Sequence, residues 1–139
     1  MIKYKKQYLF SITFLENNNL NGYTCKLIVT ADNSYDFKTS MKSTTDDLDD
    51  FVKETLVLID KSFIFNKNTN NSFENNLIDV LKNNKQKMYA IDFDFSVQKF
   101  AEHLFKKLNF NCVMENKDYR IESIELSFKE NESVIIKEN

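Results

Sequence analysis

Tyr8, Phe10, Ile12 and Phe14 occupy alternate positions near the start of the chain, and Tyr23, Cys25, Leu27 and Val29 repeat that alternation soon after. A period of two sends successive side chains to opposite faces, so each run predicts a half-buried strand. Between them stands Leu20-Asn21-Gly22-Tyr23. Asn-Gly flanked by alternating apolar runs predicts a hairpin turn, because both residues tolerate positive φ. Asp32-Asn33-Ser34 reads as a second turn, and Tyr35 to Met41 as a third extended piece.

The period then changes. Leu48, Phe51, Val52, Leu56, Ile59 and Phe63 fall at helical spacing and predict a helix over about Asp46 to Ser62. Ser43-Thr44-Thr45 supplies hydroxyls for its start, and Asp46-Asp47 suits the positive helix end. Asn66 to Asn71 is a polar loop, and Ser72 is placed to cap a short helix carrying Phe73, Leu77, Ile78 and Leu81. Met88 to Phe93 reads as a short buried strand or extended piece. Ser96 caps a second long helix, whose apolar stripe is Val97, Phe100, Ala101, Leu104, Phe105 and Leu108. Two more strands follow, through Ile121, Ile124, Leu126 and Phe128 and through Val134 to Ile136. The order predicts an α+β fold: an antiparallel sheet of two β-hairpins with two long helices packed on one face. No repeat or linker divides the chain, so residues 1–139 read as one domain.

Composition narrows the partners. Hydrophobic residues are 42% and charged residues 29%, a water-soluble profile. The net charge of −2 carries no overall basic footprint, so no nucleic-acid partner is expected. No apolar run approaches the ~20 residues of a membrane helix, so no membrane partner is expected either. The basic start Met1-Ile2-Lys3-Tyr4-Lys5-Lys6 leads into a strand pattern rather than a secretory core, which points to the cytoplasm. Cys25 and Cys112 are far apart and form no zinc set, so reduced, partly buried thiols are expected. Asn, Lys, Ile and Phe are abundant and share AT-rich codons, which leaves the Asn clusters little functional weight.

The chain has one histidine, His103, which lies off the apolar stripe with Ser96 and Lys99 and reads as solvated. The acidic run Asp46-Asp47-Leu48-Asp49-Asp50 reads as a helix-start face, without the loop geometry of a cation site. Asp60-Lys61 reads as a surface ion pair, with proton transfer open to it only if the lysine is buried and its pKa lowered. One glycine and one histidine leave no phosphate-binding Gly-rich loop and no Ser-His-Asp set.

The order of elements resembles the tunnelling-fold family, in particular 6-pyruvoyltetrahydropterin synthase and 6-carboxytetrahydropterin synthase of the queuosine route. Members carry a first strand ending in a Phe-x-Ala-Ala-His type sequence, here Phe10-Ser11-Ile12-Thr13-Phe14, and a Leu-His-Gly-His motif, here Leu20-Asn21-Gly22-Tyr23. Phe14, Asn21 and Tyr23 therefore stand where the resemblance puts three zinc histidines. The family's Leu-Asp-His segment is similar to Ile59-Asp60-Lys61, so Asp60 and Lys61 stand at catalytic positions, with lysine for histidine. Its Asn-Pro-Thr-x-Glu-Asn segment is similar to Asp94-Phe95-Ser96-Val97-Gln98-Lys99, which places Ser96 and Gln98 at ligand-binding positions. Phe128 or Glu130 falls nearest the pterin-binding glutamate. The loop Leu15-Glu16-Asn17-Asn18-Asn19 is too short for the catalytic-cysteine loop and has no cysteine.

The resemblance implies rings of subunits whose sheet edges join, so a homo-oligomer is expected. With the histidines gone, neither zinc nor another cofactor is expected. The implied function is a non-catalytic homologue that binds a pterin- or purine-like heterocycle or serves as an oligomeric scaffold. The alternative is a divergent, metal-independent lyase or cyclohydrolase acting on a pterin-like substrate.

Overall fold

The first reversal of the chain falls at Asn17 and Asn18, not at Asn21-Gly22. The structure, a computed structural model, describes residues 3–32, 41–129 and 131–138. Strand β1 (Lys3–Glu16) pairs antiparallel with β2 (Asn19–Asp32), and Glu16 faces Asn19. Asn17 (φ 52°) and Asn18 (φ 61°) are both left-handed, as a two-residue turn matched to strand twist requires. Asparagine accepts that conformation more readily than other residues with a side chain. Asn21 and Gly22 lie within β2, opposite Phe14 and Thr13, and Gly22 has no positive φ. The two registers differ by an even number of residues. Both keep the same side chains on the buried face, so alternation alone does not separate them.

Residues 33–40 lie outside the described residues, and with them most of the expected third extended piece. Met41, its last residue, opens helix α1 (Met41–Val57). Ser43 to Thr45 therefore fall inside the helix rather than at its start. The helix also ends earlier than its apolar spacing predicts. Ile59 N and Asp60 N both bond to Leu56 O, at 3.0 and 2.7 Å, closing the last turn. Lys61 then turns left-handed (φ 61°), and its N–H reaches Ser11 O at 2.6 Å. Ile59 and Phe63 are buried as the helical spacing implies, but from a turn and a strand.

That strand, β3 (Ser62–Asn66), is absent from the sequence reading. It runs parallel to β1, pairing Ile12 with Ser62 and Phe14 with Ile64. Helix α2 (Ser72–Asn83) follows, capped by Asn71 rather than Ser72; the Asn71 side chain accepts from Phe73 N and Glu74 N. Strand β4 (Met88–Ile91) then runs parallel to β3. Ser96 caps α3 (Val97–Met114), accepting from Lys99 N at 3.1 Å. Strands β5 (Arg120–Lys129) and β6 (Glu132–Lys137) complete the sheet.

The sheet order is β4-β3-β1-β2-β5-β6. The expectation of an antiparallel sheet is thus corrected to a mixed one, because β1, β3 and β4 run the same way. Its helix-facing side carries Tyr8, Phe10, Ile12 and Phe14 on β1 and Cys25, Leu27 and Val29 on β2, buried with α1 and α3 residues such as Phe51, Val52, Phe100 and Leu104. On the other face Leu9 is 65% exposed. Asp47 and Asp49 are not a free acidic face. Asp49 accepts from Tyr8 OH at 2.7 Å, and Asp47 from Tyr119 OH at 2.8 Å and Lys117 Nζ at 3.1 Å, tying α1 to both ends of the core.

Candidate functional site

Phe14 is the last buried residue of β1, and Tyr23 sits two residues beyond Asn21 on the facing strand. Alternation sends both rings to the helix side of the sheet. There Phe14 stacks on Phe95, with centroids 3.9 Å apart and planes 21° from parallel. Tyr23 lies 5.5 Å from Phe14 and meets Phe128 edge-on at 5.6 Å. Phe95 in turn lies 5.5 Å from Phe100. One row of rings therefore runs from β5 through β2 and β1 to the loop before α3 and α3 itself. Lys129 Nζ lies 5.7 Å from the Tyr23 and Phe128 centroids, within cation–π range of both. Offset and edge-on pairs each add about 0.5–1.5 kcal/mol beyond burial, so the row is a cohesive unit.

Zinc needs nitrogen, sulfur or carboxylate donors converging at about 2.0–2.3 Å. Phe14 has none, the Asn21 amide donates to Asn19 O at 3.2 Å, and Tyr23 offers one phenol among rings. Among the described residues, no group of three or more His, Cys, Asp or Glu is placed to hold a metal ion. These residues do not fit the metal implied by the resemblance.

Asp60 and Lys61 do not form the expected surface ion pair. The Asp60 carboxylate accepts from Ser11 N at 2.8 Å, while Lys61 N donates to Ser11 O. The pair latches the α1–β3 turn onto β1 through both polar groups of one residue. The Lys61 side chain is exposed, beside a hollow of about 220 Å³ shared with Thr13, Gly22 and Thr24.

Ser96 and Gln98 stand at the start of α3. The Ser96 hydroxyl caps the helix, and Gln98 Nε2 donates to Glu102 at 3.4 Å. Phe128 belongs to the ring row, and Glu130 lies outside the described residues.

His103 is not solvated, as its place off the stripe suggests. It is half-buried beside Phe93 and Phe100, and its Nε2 lies 2.6 Å from Tyr89 OH. Lys107 Nζ donates to the same phenol oxygen at 3.2 Å, which leaves the phenol proton for the imidazole. Burial and the Lys107 charge hold the imidazole pKa below its usual value, against the opposing pull of Asp92. Neither the periodicity nor the spacing of Tyr89, His103 and Lys107 signals this chain, because Tyr89 arrives from strand β4 while His103 and Lys107 sit on α3. Burial pushes the Cys25 thiol up to about 12 and is the largest influence lifting Cys112 to about 11, which leaves both protonated and unreactive.

No protein-family model matches the chain, and no curated protein matches it in sequence. Solved structures do match in shape. An uncharacterized protein from Wolinella succinogenes superposes with a TM-score of 0.66 at 11% identity, covering 99% of this chain and 98% of that one. A 6-pyruvoyl tetrahydropterin synthase from Caenorhabditis elegans gives 0.66 at 14% identity, covering 99% and 96%. One from Plasmodium vivax gives 0.62 at 10% identity, covering 100% and 99%. The chain has the fold of the 6-pyruvoyl tetrahydropterin synthases, at low sequence identity.

Proposed function

We propose that this protein is a zinc-free, non-catalytic relative of the pterin synthases that serves as a homo-oligomeric scaffold. The observation that carries this reading is the Phe14–Phe95 stack with its Tyr23–Phe128 extension, which takes up two of the three positions the resemblance assigns to zinc ligands, while the Asn21 amide is held by Asn19 O. The residues at the catalytic positions support it further: Asp60 is spent on a backbone amide, and Lys61 is exposed. Rings packed on one another leave little room for a heterocycle there, which favours the scaffold over a pterin- or purine-binding role. It also weighs against a metal-independent lyase or cyclohydrolase.

Self-association follows from the sheet. Strands β4 and β6 lie at its two ends, each with one side unpaired among the described residues. The chain has no proline to blunt an edge. Joining such edges between copies in a ring satisfies them.

Two measurements on the purified chain test the reading. Incubation with dihydroneopterin triphosphate is expected to show no conversion above the buffer rate. Light scattering is expected to give a multiple of 16.5 kDa. Metal-independent conversion well above background would replace the scaffold by the divergent enzyme. A monomer mass would remove the oligomer.

A further inference from the structure

Because β1, β3 and β4 are parallel, they end on one side of the molecule, and the segments leaving them meet there. The Asn17-Asn18 turn, the loop after β3 and the loop before α3 enclose a cleft of about 820 Å³. That volume is in the range of small-molecule sites, and the carboxyl ends of parallel strands are where such clefts form. The cleft is separate from the ring row except at Phe95, which borders both.

Its lining has a definite chemistry. Asparagines from distant parts of the sequence converge: Asn17 and Asn18 from the turn, and Asn66, Asn68, Asn70 and Asn71 from the loop after β3. Some amides are tied down, with Asn71 donating to Asn18 at 2.8 Å and Asn66 to Asp94 at 2.9 Å. The side-chain amides of Asn68 and Asn70 have no partner among the described residues. Glu16, Glu74 and Asp94 add carboxylates, and Oε1 of Glu74 is closed off from solvent without a hydrogen-bond partner. That oxygen is out of reach of a water-sized donor, so a ligand meets the acids through their accessible oxygens.

Among the described residues, no Lys, Arg or His lines the cleft. Three carboxylates without a cation disfavour phosphates, nucleotides and carboxylic acids. Free amides offer a donor and an acceptor side by side, which matches a hydroxyl group that both gives and receives. Phe95 is half-buried, with one face against Phe14, and supplies an apolar patch at the rim. We propose that this cleft binds a neutral polyhydroxylated ligand, a carbohydrate, through its asparagine amides and Glu74, with the sugar's C–H face against Phe95.

The test uses the ¹⁵N-labelled full chain, titrated with D-ribose, D-glucose, N-acetylglucosamine and chitobiose, and separately with calcium and spermidine. At least one sugar is expected to shift amides confined to residues 16–18, 66–74 and 94–95. Glu74→Gln is expected to weaken that binding about tenfold or more, as loss of a charged acceptor does. Asn70→Ala, on an exposed loop, is expected to weaken it as well and serves if the first variant does not fold. No sugar shift at about 10 mM, well above millimolar affinity, would overturn the proposal. So would shifts with calcium or spermidine alone, or unchanged binding in a folded Glu74→Gln or Asn70→Ala variant.

Discussion

Replacing Asp60 by alanine tests whether this residue is structural. Its carboxylate accepts the Ser11 N–H at 2.8 Å, in a half-buried position. Hydrogen bonds to charged groups contribute about 1.5–3 kcal/mol. Because the site is half-exposed, water can reach the freed amide, which favours the lower part of that range: about 1.5–2 kcal/mol for Asp60→Ala. Asp60→Asn keeps an oxygen in place as a neutral acceptor and should cost less, about 1 kcal/mol or under. Lys61→Ala removes only an exposed side chain and keeps the left-handed backbone, so its effect should stay within about 0.5 kcal/mol. Urea unfolding followed by circular dichroism measures all three. An Asp60→Ala change below about 0.5 kcal/mol, or a Lys61→Ala effect as large as that of Asp60→Ala, would refute the latch.

Leu104 is fully buried on α3, so Leu104→Ala should destabilise by about 2–5 kcal/mol, and a change under about 0.5 kcal/mol in urea melts would place the stripe elsewhere. The Tyr8 and Tyr119 hydroxyls are raised well above their ordinary value of 10.0, first by burial and then by their bonds to Asp49 and Asp47. Between the unfolded and folded values the native state keeps protons that the unfolded chain has released. Their stabilisation is therefore complete below about pH 10 and lost as pH rises beyond it. The urea midpoint should fall between about pH 8 and about pH 11, and fall less in a Tyr8→Phe, Tyr119→Phe double variant; equal falls would contradict this.

The long elements were legible because their signals are redundant. Phe100, Ala101, Leu104 and Leu108 repeat one stripe, and Ser96 marks its start, where the structure confirms the cap. The hairpin turn was misplaced because Asn-Gly is a stronger local signal than Asn-Asn, and an even register shift leaves the buried face unchanged. Strand β3 was hidden because Ile59 and Phe63 extend the helical spacing of Leu56, while the stop is set by Lys61 bonding to Ser11, far away in sequence. Missing β3 concealed the parallel strands and the cleft at their ends. The asparagines lining that cleft belong to the residues that AT-rich codons make abundant, and nothing in their spacing says that two distant groups meet. The row Phe128-Tyr23-Phe14-Phe95 is likewise invisible one strand at a time, although the absence of histidine at Phe14, Asn21 and Tyr23 is plain in the sequence.

Two of the three positions where the resemblance puts a metal ligand, Phe14 and Tyr23, lie in that row of rings. Elemental analysis of the purified protein, after growth with zinc supplied, tests the zinc-free reading most directly. The expected result is no stoichiometric zinc; about one tightly held zinc per chain would contradict the account, since a site of that kind needs a converging donor set.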